Sequence, residues 1–330
     1  MIRVGINGFG RIGRTLFKIL SERDDIHVVK VNDIHPLETM VHLLKYDSVH
    51  GVLKTSIKVQ SESSFEVNEL ETIYSQEKEI GNIKWNDLDV VFECSGKYKT
   101  RELLDGHIKN GCKSVILSVP PLDSSIKMIV MGVNEGILKS TDVIISNASC
   151  TTNSAAHLVN IMSSNFEIDS CFITTVHSYT SDQNLHDSPH SDLRRARGAI
   201  QSIIPTTTGA AKALTRIFPK LSNKLGGCGI RVPVPNGSLT DLTFTLNNPP
   251  SVSAINELVR SYSENSLKKY LYYSEEPLVS SDIIGNPFSC VFDSELTSVV
   301  GNMVKLVGWY DNEIGYSNRL VDALDYHQSL

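Results

Sequence analysis

The sequence predicts an α/β chain whose first half is a parallel sheet covered by helices on both faces. Three observations carry this. Strand-like apolar runs are separated by segments of helical spacing, the runs are continuous rather than alternating, and the first ends in a glycine-spaced turn that opens a helix. A chain of 330 residues has room for two domains, and its 41% apolar content is that of an ordinary globular core.

The opening run Ile2-Arg3-Val4-Gly5-Ile6 leads into Asn7-Gly8-Phe9-Gly10-Arg11-Ile12-Gly13, after which Ile12, Leu16, Ile19 and Leu20 recur at helical spacing. Strand, glycine turn and helix together make a phosphate cradle. Gly8 permits the tight turn, Gly10 lets a pyrophosphate reach the backbone, and Gly13 lets helix and strand pack closely. A second strand, His27–Val31, ends at Asn32-Asp33, and Asp33 falls about 20 residues past Gly13, the offset of a ribose-binding acid. Such a carboxylate accepts from both ribose hydroxyls of NAD and repels a 2′-phosphate, so the expected cofactor is NAD. Pro36 suits the first turn of a helix carrying Leu37, Met40, Val41 and Leu44. Strands follow at Asp89–Cys94, Lys113–Ser118 and Lys127–Met131. Ligands of open parallel sheets lie beyond the carboxyl ends of the strands, which puts Ser118 at a cofactor cleft unless it is ordinary turn chemistry. Ser95-Gly96 reads equally well as cleft lining or as turn chemistry.

The strand Val143–Ile145 is followed by Ser146-Asn147-Ala148-Ser149-Cys150-Thr151-Thr152-Asn153 and then by a helix over Ala155–Met162. Cys150 therefore sits at a strand-to-helix turn. There the helix dipole and free amides favour thiolate, lowering a pKa that starts near ~8.5, and can hold an oxyanion beside the sulfur. The competing reading is a small core residue. A β-branched run, Ser170–Val176, delivers His177 at its end, the partner a Cys/His pair needs. His157 is nearer in sequence, but seven residues along one helix separate it from Cys150 by roughly 10 Å, beyond hydrogen-bond reach.

Net charge is −6, so nucleic acid and anionic membranes are not expected partners. Six scattered cysteines without C-x-x-C spacing argue against a metal site and a disulfide framework. With no signal-like N-terminus or long apolar span, the expectation is a cytoplasmic protein. The basic cluster Arg194-Arg195-Ala196-Arg197 lies in a long polar segment, 178–198, of the kind that is functional or lies at an interface. Thr206-Thr207-Thr208-Gly209 opens another helix, a natural anion site or simply a cap. Arg231 lies in Ile230–Val234, which Pro235-Asn236-Gly237 turns into an alternating strand, Leu239–Leu246. The expectation is a hairpin whose arginine is either solvated or aimed at phosphate or carboxylate. A helix with Ile255, Leu258, Val259 and Tyr262 on one face, strands at Ser289–Phe292 and Met303–Tyr310, and a final helix with Leu320, Val321 and Leu324 complete the chain.

Asn7 to Arg14, Ser146 to Asn153, His177 through Arg197, Pro205 to Lys212 and Tyr310 to Arg319 stand in an order that closely resembles the phosphorylating glyceraldehyde-3-phosphate dehydrogenases, over essentially the whole chain. The resemblance implies a Rossmann NAD-binding domain, residues 1–149, completed by a C-terminal helix at 315–330. It also implies an α+β catalytic domain with a mostly antiparallel sheet, 150–314, and a homotetramer with the polar loop at an interface. Cys150 then resembles the nucleophile and His177 its base. Ser149, Thr151, Thr208 and Gly209 resemble the inorganic phosphate pocket, while Thr180 and Arg231 resemble ligands of the substrate's own phosphate and Arg195 a contributor to phosphate binding. Cofactor contacts implied are Gly8, Gly10, Arg11, Ile12, Gly13, Asp33, Ser118, Asn312, Tyr316 beside the nicotinamide and Lys78 near the adenine.

Three residues depart from the family pattern. Ser154 replaces a second cysteine, removing a route to disulfide inactivation. Ile314 replaces a tryptophan, which is expected to loosen packing near Asn312 and Tyr316. Ser188 replaces a leucine near the adenosine ribose, leaving room for a 2′-phosphate and so poorer discrimination against NADP. Erythrose 4-phosphate as substrate, or a catalytically idle nucleotide sensor, are the competing functions; the threonine run argues against the first and the Cys150/His177 pair against the second.

Overall fold

The computed structural model describes all 330 residues. The chain divides into two compact units, one built from Met1–Ile129, Glu135–Ala148 and Ser317–Leu330, the other from Val130–Asn134 and Ser149–Tyr316.

The first unit contains β1 (Ile2–Asn7), α1 (Arg11–Leu20), β2 (Ile26–Asn32), α2 (Leu37–Lys45), a small ribbon of β3 (Tyr46–Asp47) and β4 (Gly51–Val52), then β5 (Ile57–Ser61), β6 (Ser64–Val67), β7 (Leu70–Ser75) and β8 (Leu88–Glu93). It continues with α3 (Arg101–Lys109), β9 (Cys112–Leu117), β10 (Lys127–Met128) and β11 (Ile144–Ser146). Nine strands form one sheet in the order β10-β11-β9-β8-β1-β2-β7-β6-β5. Pairing is parallel from β10 to β7, and only the β5-β6-β7 meander is antiparallel. Val4, Ile6, Val90, Val91, Phe92, Val115, Ile116 and Leu117 are fully buried, as double-faced burial of β1, β8 and β9 requires. α1 turns Leu16, Phe17 and Leu20 inward, and Phe17 packs edge-on to Phe9 at 5.5 Å between ring centroids. The C-terminal helix (Ile314–Gln328) buries Leu320, Ala323 and Leu324, and His327 Nε2 lies 2.9 Å from the Asp142 carbonyl. The expected strand over 127–131 is shorter, because the chain turns at Val130, whose N–H is taken by Asn134 Oδ1.

The second unit contains α4 (Cys150–Asn165), β12 (Ile168–Ser178), β13 (Ile204–Thr206), α5 (Ala210–Ile217), β14 (Leu225–Val232), β15 (Ser238–Leu246) and α6 (Val252–Glu264). β16 (Leu271–Ser274), β17 (Cys290–Asp293), β18 (Ser298–Val300) and β19 (Met303–Tyr310) complete it. Its sheet runs β13-β14-β12-β15-β19-β17-β16, with β18 on β19, and is antiparallel except for β12–β14 and β16–β17. α4 packs on one face of it, burying Ala155, Leu158, Val159, Ile161 and Met162. The hairpin expected around Pro235-Asn236-Gly237 is not formed. β12 lies between β14 and β15, so the turn carries the chain past the end of β12, and β14 pairs with β12 in parallel. Eleven residues of β12 offer bonding edges to both neighbours, and that outweighs the local pairing a short turn suggests. In the resulting register His177 stands opposite Arg231.

Candidate active site

Cys150 is the first residue of α4, following Ser149, whose side chain accepts from Thr152 N as the N-cap and contributes about 1 kcal/mol to the helix start. His177 is the penultimate residue of β12, and its Nε2 lies 3.5 Å from Cys150 Sγ. A helix N-terminus and a strand end thus deliver the two reactive groups to one point. The other side of the imidazole is crowded. Nδ1 lies 2.7 Å from the Ser178 carbonyl and 2.7 Å from Arg231 Nη1, and the same Nη1 donates to that carbonyl at 3.0 Å.

Burial pushes the Cys150 thiol up, outweighing the lowering by Arg231 and by the amide and hydroxyl of Thr151. The expectation of a lowered thiol pKa from the helix terminus is corrected accordingly: the amides act in the expected direction, but desolvation is larger. His177 is pushed down to about 3 by burial, then by the Arg231 charge. Both groups rest neutral near pH 7, and a thiolate has to be generated rather than stored. Burial likewise holds Cys94, Cys112, Cys171 and Cys290 up at about 12.

The other residues singled out in this unit lie as follows. Tyr310, which sequence reasoning passed over, is buried edge-on to the His177 ring with 6.0 Å between centroids. Its hydroxyl bonds Thr151 Oγ1 at 2.9 Å and Thr175 Oγ1 at 3.0 Å, tying the start of α4 to the end of β12. Thr180 lies two residues beyond β12, while Thr208 Oγ1 accepts from Ala210 N and Gly209 begins α5, which packs against α4. Ser178 Oγ and Ser238 Oγ each donate to Asn312 Oδ1 at 2.9 Å. Asp311 caps the C-terminal helix by accepting from Glu313 N and Ile314 N, and Tyr316 is buried in the first turn behind it. The basic cluster is largely self-neutralised. Arg195 is paired with Asp182 and donates to Thr206 Oγ1 at 2.9 Å, and Arg197 pairs with Asp187 in solvent. Only Arg195 is turned toward the threonine run.

In the first unit a cavity of about 430 Å³ is walled by Gly8, Gly10, Asp33, Lys78 and Ser95, among others. The glycines fit a dinucleotide by three different tests. Gly8 has φ +91° and a Cβ there would fall 2.5 Å from Ser95 N, where β1 and β8 end side by side; a Cβ on Gly13 would fall 2.1 Å from Gly8 O; one on Gly10 would meet nothing, the open approach a pyrophosphate needs. Asp33 Oδ2 accepts from Phe9 N at 2.6 Å and Oδ1 from His35 N at 3.1 Å. Arg11 turns its side chain to Asp47 at 3.0 Å, so what it and Ile12 present to a phosphate is backbone at the helix start. Ser118 donates to the Glu93 carbonyl at 2.9 Å and is buried rather than on the cavity wall. Beneath the cavity lies a network that sequence reasoning missed. Glu93, fully buried, accepts from Asn7 Nδ2, Ser95 N and the Nε2–H of His107, whose Nδ1 in turn accepts from Trp85. A larger hollow of about 660 Å³ lies at the other end of α4, by Ser164, Phe166 and Lys224, and holds none of the reactive groups.

Residues 2–101 match the glyceraldehyde 3-phosphate dehydrogenase NAD binding domain, and residues 149–312 match the C-terminal domain of the same enzyme. The chain belongs to the glyceraldehyde-3-phosphate dehydrogenase family. It is 46% identical to the glyceraldehyde-3-phosphate dehydrogenase of Mycobacterium avium, covering 98% of this chain and 97% of that one. Identity is also 46% to glyceraldehyde-3-phosphate dehydrogenase 2 of Streptomyces avermitilis, covering 97% of each chain, and to the enzyme of Geobacillus stearothermophilus, covering 98% of each. The resemblance read from five motifs is therefore a family membership, and the cofactor of the glyceraldehyde-3-phosphate dehydrogenase fold is NAD. The first unit is its Rossmann part, and the mostly antiparallel sheet of the second is its catalytic part. Ser154, one of the departures within this family, is buried and accepts from Thr240 Oγ1 at 3.1 Å, so its hydroxyl is satisfied. No helix is long and apolar enough to cross a membrane.

Proposed function

We propose that the protein oxidises D-glyceraldehyde 3-phosphate to 1,3-bisphosphoglycerate with NAD⁺ and inorganic phosphate, reversibly, in glycolysis and gluconeogenesis. The observation that carries this is the 3.5 Å approach of Cys150 Sγ to His177 Nε2 at the start of α4. Thiol and imidazole are the nucleophile and base of the reaction. The proton of Cys150 passes to His177 as sulfur adds to the aldehyde carbon, giving a hemithioacetal whose oxygen is met by the N-terminal amides of α4. Bound NAD⁺ supplies a hydride acceptor. The Cys150 adduct loses hydride as its oxyanion collapses, leaving a thioester, and phosphate then displaces the sulfur to form the acyl phosphate. Sulfur is suited to both steps, because a thiol gives up its proton to a base more readily than a hydroxyl does and its ester stays reactive.

Ser149, Thr151, Thr208 and Gly209, at the starts of two packed helices, are assigned to inorganic phosphate. Thr180 and Arg231 are assigned to the substrate's phosphate, and Arg195 to phosphate binding. Gly8, Gly10, Arg11, Ile12, Gly13, Asp33, Lys78, Ser118, Asn312 and Tyr316 are assigned to the cofactor, with Asp33 favouring NAD and Ser188 weakening discrimination against NADP. Residues 1–149 with 315–330 form the NAD-binding domain and 150–314 the catalytic domain. A homotetramer is supported by the apolar residues left open on the second unit, among them Phe172, Leu193 and Ile203, at 52%, 82% and 69% exposure. Six free cysteines are consistent with a reducing cytoplasm. The test is absorbance at 340 nm with glyceraldehyde 3-phosphate, with and without phosphate, using NAD⁺ and then NADP⁺. Sustained turnover only with phosphate is expected; phosphate-independent turnover, or equal efficiency with both cofactors, overturns the corresponding assignment.

A further inference from the structure

The carboxylate read as the NAD-selecting acid is already engaged in this chain. Asp33 Oδ2 accepts from Phe9 N at 2.6 Å, and Oδ1 accepts twice from His35, from its amide at 3.1 Å and from its ring Nδ1 at 2.7 Å. A carboxylate offers about four acceptor positions, so roughly one is left for a ribose that presents two hydroxyls. Because Oδ1 only accepts, Nδ1 carries a proton, and a second ring proton goes to Nε2. His35 is then a cation against Asp33, and it cancels the charge that would repel a 2′-phosphate.

We propose that His35 sets the cofactor discrimination of this protein: as imidazolium it neutralises Asp33 and offers Nε2–H to a 2′-phosphate, and as neutral imidazole it leaves Asp33 to exclude that phosphate. The inference deepens the function proposed above and rests on it. Asp33 and His35 wall the same cavity, the first side chain 11% exposed and the second 62%. The ring can therefore leave the carboxylate for a ligand without unpacking a core. Its backbone stays put, because Tyr74 Oη, from β7, donates to His35 O at 2.7 Å. That tyrosine is held neutral, its hydroxyl raised by burial and then by the Asp33 charge. The start of α2, two residues on, opposes a positive ring, while Asp33 favours one. Glu38 in the first turn of α2, Glu77 and Lys78 after β7, and Lys97 after β8 complete the charged surroundings. Lys97 is drawn over the Tyr98 ring at 5.0 Å, and Asp33 is the one carboxylate paired with the imidazole.

Histidine is the side chain whose charge changes between about pH 5 and 8, which supplies the test. Dissociation constants for NAD⁺ and NADP⁺ are measured by fluorescence titration at about pH 6 and about pH 8 with wild type, His35→Gln and His35→Arg. The ratio of the two constants is the readout, because a change of fold common to both cofactors cancels in it. Acidification is expected to narrow the preference for NAD⁺ in wild type by roughly fivefold more than in His35→Gln, the size of one exposed charge pair. His35→Gln retains only the narrowing that comes from protonation of the 2′-phosphate itself. His35→Arg, with a permanent cation, is expected to show the narrowed preference at both pH values. Equal pH responses in wild type and His35→Gln overturn the proposal. So does a His35→Gln that weakens both cofactors alike, the mark of a side chain that only supports the loop. Wild type that binds NAD⁺ at neither pH overturns the cofactor reading underneath, and this inference with it.

Discussion

The glycine turn of the first unit and the thiol site of the second are built in opposite ways. The turn is backbone: its chemistry comes from Gly8, Gly10 and Gly13, within six residues, and from the amides at the start of α1. The thiol site is side chains gathered from α4, β12, β14 and β19, with Arg231 brought beside His177 by sheet register. A backbone site tolerates no change of shape, whereas a side-chain site tolerates shape changes and fails on a single lost atom.

The largest effect expected is at the sulfur. Cys150→Ser should lower the oxidation rate by roughly 10⁴-fold while NAD affinity, measured by fluorescence titration, stays as it was. Loss of both together would erase the division between the two sites. Next comes the turn itself. Gly13→Ala puts a methyl against the Gly8 carbonyl and should cost about 2–4 kcal/mol in urea denaturation. Gly10→Ala has open space and an ordinary φ of −71°, so its stability should move by less than about 0.5 kcal/mol while NAD binding weakens. Equal stabilities for the two variants would contradict the packing ascribed to Gly13.

Smaller is Tyr310→Phe, which removes the hydroxyl shared by Thr151 and Thr175. A fall in kcat of about fivefold with KM for NAD unchanged is expected, since a hydrogen bond of about 1 kcal/mol holds the pair in line. A last effect, spread over several pH units, is acid sensitivity. Because the folded pKa of His177, about 3, is below its unfolded value, the unfolded chain takes up the proton first as pH falls. Stability is therefore complete above about pH 6.5 and declines toward pH 3, by on the order of a few kcal/mol at most. His177→Asn should flatten that part of the denaturation profile, and an unchanged slope would reject the buried neutral ring.

What could be read from the chain follows the same division. Strand, turn and helix at Ile2–Leu20, the acid at Asp33, Cys150 at a helix start and His177 at a strand end are short-range patterns, and each stands where its local spacing put it. Tyr310 and the Glu93–His107–Trp85 network gave no such signal, because their partners lie tens to more than a hundred residues away.

By itself, then, the sequence determined the family, the cofactor turn and the candidate pair Cys150 and His177, all of which depend on spacing within a few turns of chain. The tertiary structure alone decided the parallel pairing of β12 with β14, which replaced an expected hairpin and set Arg231 against His177. It decided also that the thiol is raised rather than lowered, and that most of the basic cluster is spent on nearby carboxylates. Register, burial and charge pairing are sums over groups distant in sequence, and no local pattern encodes them.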